Sequence, residues 1–321
     1  MIKDHRIYRK LFNVLNGVSY ELSNFKISKS QGVYPSNYLM HPHLLKKLNK
    51  CNNIMKFSWT VKTHKTVQCS LLIYYDQKMS LNEKQIKTLI DAISFILAFI
   101  TEDNNLVIHL SPLKDEKKIH KNQYNLSNLN INSGSSKGNE IFIYRYEECI
   151  KVLFHECIHY LNFSNQSMFS EDYLQYYKEK YNLNVQKINF NEAYTELFAR
   201  LFYCYYLSGR SYNHFIKHLS SEYNFSLYQA NKILHFNDYT DVNKSTNTIA
   251  YYLITCELLH NLPKLLQYFV QHNHKLFYLQ DEETFEELIF SLQKITKKRI
   301  LKNQMNYSTM RMTISNHPFF P

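Results

Sequence analysis

Hydrophobic positions alternate along Phe57-Ser-Trp-Thr-Val61 and again from Val67 to Tyr75, and this period of two predicts a pair of β-strands with a turn at residues 63–66. Ser80-Leu-Asn-Glu83 then has the form of a capping box, in which Ser80 caps the amide of Glu83 and Glu83 reaches back. The helix it opens is expected to run to Thr101. Leu106-Val-Ile-His-Leu110 and Ile141-Phe-Ile-Tyr144 read as further strands. Between them, residues 112–139 read as irregular connection, with SGSSKG (133–138) its most flexible part. A helix is expected from Glu147 to Asn162. Beyond Phe163 almost everything has helical period: 171–181, 190–207 (closed by Gly209), 212–221, 227–236, 246–260 and 282–298. In the first fifty residues only a helix through His43–Leu48 stands out. The pattern predicts an α+β chain. Residues 1–163 are expected to form an α/β subdomain with a small mixed sheet, and residues 164–321 a mostly helical one.

Composition sharpens this picture in three respects. Only 5 glycines and 6 prolines occur in 321 residues, which favours helices over a many-stranded sandwich, while 45% hydrophobic content allows a real core, so that disorder is not the default. The net charge of +11 leaves nucleic acid open as a partner, but no arginine-rich run or repeated basic–aromatic module supports it. The six cysteines form no CxxC pair, and the longest apolar stretch, Leu89–Ile100, is interrupted by Asp91 and too short to span a bilayer. The expectation is an intracellular protein, cytoplasmic or virion-associated, with no membrane span; its oligomeric state is not legible.

The candidate chemistry lies in Lys151-Val-Leu-Phe-His-Glu-Cys-Ile-His-Tyr160. Histidines at i and i+4 on a helix point the same way and can share one zinc ion, while the glutamate at i+1 is turned by about 100°, placed to reach water on the metal rather than the metal itself. Chance alone would produce HExxH in about 4 of 100 chains of this composition, so the string needs support. Helix phase supplies some. His155 and His159 face away from the stripe formed by Ile150, Leu153, Phe154, Cys157 and Leu161, where satisfied core histidines would lie. The remaining bland reading is a pair of solvated surface histidines. A third ligand is offered by Asn189-Phe-Asn-Glu192-Ala-Tyr-Thr-Glu196: Glu192 and Glu196 share the face opposite Tyr194, Leu197, Phe198 and Leu201. Glu192 is the candidate carboxylate ligand and Glu196 the acceptor for a ligand histidine's N–H. Asn189-x-x-Glu192 is also a helix-start signature, so a purely capping role for Glu192 stands beside the ligand role.

With these residues the chain resembles the zincin metallopeptidases that complete HExxH with a glutamate on a later helix. It also resembles, more narrowly, the metallopeptidases encoded by large nucleocytoplasmic DNA viruses. The matching pieces are Ser111-Pro-Leu-Lys114, Asn132-Ser-Gly134, IFIYRYEECIKVLFHECIHYLNF (141–163) and Met310-Arg-Met-Thr313. The spacing to Glu192 is longer than in thermolysin-like enzymes, and Glu196 stands where that class often has aspartate. The resemblance implies a zincin-like fold with a cleft between the two subdomains, in which Ile141–Tyr144 lines the substrate cleft and pairs with substrate backbone. It implies a zinc peptidase acting on a protein or peptide substrate, cleaving peptide or isopeptide bonds. On this reading Zn2+ is expected to be held by His155, His159 and Glu192, with Glu156 as the general base. For the oxyanion donor the candidate is Tyr252, with Tyr251 and Arg311 as alternatives. Two rivals remain: a catalytically silent zincin-fold structural or virion protein, and a basic nucleic-acid-associated protein whose zinc is closed by His120, His235 or a cysteine.

Overall fold

The computed structural model describes residues 5–35, 40–76, 82–111, 113–119, 126–163, 171–237, 242–272, 282–296 and 309–314. In chain order its elements are α1 (His5–Asn16), β1 (Glu21–Leu22), β2 (Lys26–Gln31), α2 (Pro42–Leu48), β3 (Asn53–Lys62), β4 (Thr66–Tyr75), α3 (Glu83–Leu97) and β5 (Asn104–Leu110). There follow α4 (Asn128–Ile131), β6 (Gly134–Lys137), β7 (Glu140–Ile143), α5 (Cys149–Leu161), α6 (Glu171–Tyr181), α7 (Phe190–Leu207) and α8 (Tyr212–Asn237). A π-helical segment (Ile249–Ile254) leads into α9 (Thr255–His260), α10 (Leu262–His272) and α11 (Glu282–Phe290). Among the described residues the fold is therefore mixed α/β, with seven strands in one mixed sheet and eleven α-helices. The chain divides into two compact units, one built on Gly17–Glu116 and Asn132–Leu161, the other on the described residues of Met1–Asn16, Lys117–Ile131 and Asn162–Ser315.

The sheet unit has strand order β1-β3-β4-β5-β7-β6, with β2 also on β3. β3 and β4 form the expected antiparallel hairpin, β4, β5 and β7 run parallel, and β6 returns antiparallel at the edge. One face is apolar row by row: Phe57, Leu71, Ile108 and Ile141 stand side by side across four strands and are all buried. α3 and α5 pack in this unit, joined through the Phe95 and Phe154 rings (centroids 6.3 Å apart). Trp59 places its indole beneath α3 and donates to Ser94 Oγ at 3.1 Å. The opposite face is mixed: Lys56, Ser58, Thr60, Gln68 and Asn105 are not buried, whereas Ile54, Tyr74, His109 and Phe142 are, with His109 stacked against the Tyr74 and Phe142 rings.

Several boundaries differ from the pattern reading. The N-cap of α3 is Asn82, whose side chain accepts from Lys84 N; Ser80, the expected cap, lies outside the described residues. SGSSKG is not the flexible part of a loop. Residues 134–137 are β6, paired with β7, and Gly138 at φ +59° turns the two-residue connection. Ile141–Tyr144 does not offer an edge to substrate, because β7 is bonded to β5 on one side and β6 on the other.

The helical unit is filled by aromatic rings, which is where much of the tyrosine and phenylalanine content goes. Tyr173 stacks on Phe190 (4.5 Å), and Tyr194, Phe198, Phe269 and Phe285 form one cluster. Residues 212–237 are one helix rather than two, and the expected helix over 246–260 starts with the π turn. Asn189 does cap α7, and Gly209 at φ +56° follows its end, as expected. All six cysteines are buried and none is disulfide-bonded. Among the described residues no helix is long and apolar enough to cross a membrane.

Candidate metal centre

The chain leaves β7 through Tyr144 and enters α5 after Glu148, a non-glycine residue held at φ +61°. Glu148 O accepts from Val152 N at 2.9 Å and so belongs to the first turn. Asn162 at φ +52° ends the helix, a left-handed cap that asparagine tolerates. In between, His155 and Glu156 are each 6% exposed, and His159 is half-buried. The two imidazoles are neighbours, with ring centroids 4.9 Å apart at 74°. They are not the solvated surface pair of the bland reading.

Glu156 is fitted closely. A Cβ at Gly134 of β6 would stand 3.1 Å from Glu156 Oε1, 3.0 Å from Phe142 O and 2.7 Å from Val152 Cγ1. Glycine is needed here for space, because a side chain would press on the carboxylate and on a backbone oxygen that cannot step aside. Tyr144, buried and within electrostatic reach of Glu156, has its hydroxyl pushed well above the usual phenol range, chiefly by burial; Arg145 opposes the shift and Glu156 adds to it. It stays protonated at neutral pH. The sequence marks Gly134 only within the matching piece Asn132-Ser-Gly134; its packing against Glu156 was hidden because its neighbourhood has loop-like composition.

On α7, Asn189 Oδ1 accepts from Glu192 N at 3.3 Å. The cap uses the main-chain amide, so the capping and ligand readings of Glu192 do not compete. One ligand atom each from His155, His159 and Glu192 lies within 4.8 Å of the others. Glu196, one turn further on, is fully buried and accepts from Arg200 Nε at 2.9 Å. Tyr252 is fully buried in the π-helical segment, and its hydroxyl donates to Met310 O at 2.6 Å. Tyr251 contributes its carbonyl to Arg200 Nη2 at 2.9 Å. Arg311 places its guanidinium 5.9 Å from the centre of the Phe225 ring.

Among curated proteins the chain is similar to "Uncharacterized protein R210" of Acanthamoeba polyphaga mimivirus, 25% identical over 271 residues that span 72% of this chain and 68% of the relative. No family model and no solved structure matches it. The likeness is thus to a giant-virus protein over most of both chains.

The fit around Glu156 predicts the effect of Gly134→Ala. In an ordinary strand alanine is favoured over glycine by about 0.5–1 kcal/mol. Here the substitution is expected to lower the melting temperature instead, because the added Cβ meets a backbone oxygen and the Glu156 carboxylate. Thermal denaturation checks this; a more stable variant would contradict the packing.

Proposed function

We propose that the protein is a zinc-dependent peptidase, an intracellular enzyme of virus-type origin that hydrolyses peptide bonds in a protein or peptide substrate. The observation that carries this reading is the approach of His155, His159 and Glu192 donor atoms within 4.8 Å of one another. Two imidazole nitrogens and one carboxylate oxygen are a donor set that catalytic zinc sites use, leaving a position for water or substrate. Zinc held by these residues would supply Lewis acidity, polarising a peptide carbonyl and acidifying water.

The protein's own groups do the rest. Glu156 takes a proton from the attacking water on its carboxylate and passes it to the leaving amine nitrogen. Gly134 keeps room for that carboxylate, and the Asn189 cap fixes the first turn of α7, from which Glu192 projects. The strand for substrate to lie along is β6, the sheet edge next to Glu156, where main-chain pairing needs no particular side chain. Tyr252 is assigned no role as a donor, since its hydroxyl is spent on Met310 O.

The reading is tested by incubating the full chain with a denatured protein substrate and an unbiased peptide library. Cleavage that stops on chelation and returns with zinc is the expected result. A zinc-loaded chain that cleaves neither substrate would contradict it.

A further inference from the structure

Met310-Arg-Met-Thr313 stands out in the sequence, yet the proposed chemistry gives it nothing to do. In the structure it belongs to a segment, Thr309–Ile314, whose main chain is bound by side chains from α8 and the π-helical segment. Tyr252 Oη donates to Met310 O (2.6 Å), Gln229 Nε2 to Arg311 O (2.6 Å) and Lys232 Nζ to Thr309 O (2.5 Å). Met310 N donates to Lys117 O at 2.7 Å, and Thr309 bridges to Lys118. Met310 and Thr313 are fully buried. A surface tail does not recruit three buried side chains to its carbonyls.

The last contact of this segment leads towards the site. Ile314 N donates to Glu222 Oε2 at 3.1 Å. The other oxygen of Glu222 lies 3.6 Å from Arg200 Nη1. Arg200 is 1% exposed and also donates through Nη1 to Ser226 Oγ (2.8 Å), through Nη2 to Tyr251 O (2.9 Å) and through Nε to Glu196 Oε1 (2.9 Å). The acceptor Tyr251 O sits in the π-wound stretch, where Thr255 N reaches back five residues to Ala250 O. Glu196 is one helical turn from Glu192.

We propose that Thr309–Ile314 is a positioning strap for the third-ligand helix, acting through Glu222 and Arg200 on Glu196 and, one turn away, on Glu192. The inference rests on the metal reading above. Its physical basis is charge balance in a dry environment. Glu196 and Glu222 share one guanidinium, so Glu222 needs a second donor, and the Ile314 amide provides it. Without the strap, Glu222 draws more of Arg200 to itself and loosens its hold on Glu196. The first turns of α7 then lose the anchor that fixes where the Glu192 carboxylate points.

The test uses the full chain carrying Glu222→Gln, which keeps the shape but removes the charge, and Met310→Asp, which forces a carboxylate into a fully buried position and dislodges the strap. Met310→Leu is the conservative control. Zinc affinity is read by competition with a chromogenic chelator, the ligand field by the absorption spectrum of the cobalt(II) form, and folding by circular dichroism. Glu222→Gln is expected to weaken zinc binding by about 10- to 100-fold, with an altered cobalt spectrum and native circular dichroism. Met310→Asp follows it and Met310→Leu binds as the wild type does. Wild-type affinity and spectrum in Glu222→Gln overturn the strap, whether or not Met310→Asp folds. A wild-type chain that binds no zinc overturns the metal reading and the strap with it.

Discussion

Glu156→Gln is expected to abolish hydrolysis while leaving zinc bound. Glutamine matches glutamate in size, so it fits the space that Gly134 leaves and should not disturb α5. What it lacks is a basic oxygen to receive a proton. General-base assistance contributes about 10²–10⁴-fold, or roughly 3–5 kcal/mol of barrier. Loss of that assistance takes the rate close to background. Initial rates together with zinc content by elemental analysis separate a lost base from a lost metal. A variant that hydrolyses at the wild-type rate would remove Glu156 from the mechanism.

His155→Ala should do the reverse and lose the metal. Alanine is the best helix former, so α5 is expected to persist around the gap left by the buried imidazole. Because loss of an outer partner already costs about 10- to 100-fold in metal affinity, loss of a direct ligand should cost more than about 100-fold. The affected quantity is metal content after dialysis against a weak chelator. Equal zinc in variant and wild type would show that His155 is not a ligand.

What could be read from the chain alone was what depends on near neighbours. α6 and α7 begin and end where their period does, and β3 and β4 alternate as half-buried strands should. α1 also carried its signal, with Ile7, Tyr8, Leu11, Phe12 and Leu15 buried at helical spacing, but its many charges hid the stripe. α10 was concealed by Pro263, which reads as a breaker yet sits in the first turn, where its missing N–H costs nothing. Other features have no local cause. β2 (Lys-Ile-Ser-Lys-Ser-Gln) is exposed along its whole length and is a strand because β3 offers it an edge. β6 is a strand for the same reason, despite its loop-like composition. The π winding at Ile249–Ile254 is buried on every side, so no hydrophobic stripe marks it.

The candidate site divides along the same line. The two histidines and Glu156 are legible because four residues make one helical turn and the geometry is local. Glu192 needed a second helix, and its sequence context was equally that of a cap; the structure shows the cap, which uses the Glu192 amide and leaves the carboxylate for the proposed ligand role. Asn132-Ser-Gly134 and Met310-Arg-Met-Thr313 were marked by resemblance alone; what Gly134 and Thr309–Ile314 touch was beyond reach, since those contacts are with residues distant in the chain.

The measurement closest to the central claim is X-ray absorption at the zinc edge of the zinc-loaded chain. Two imidazoles are expected, with every other zinc-bound atom an oxygen and one of these from a carboxylate. A shell containing sulfur, or one filled by four protein nitrogens, would contradict it.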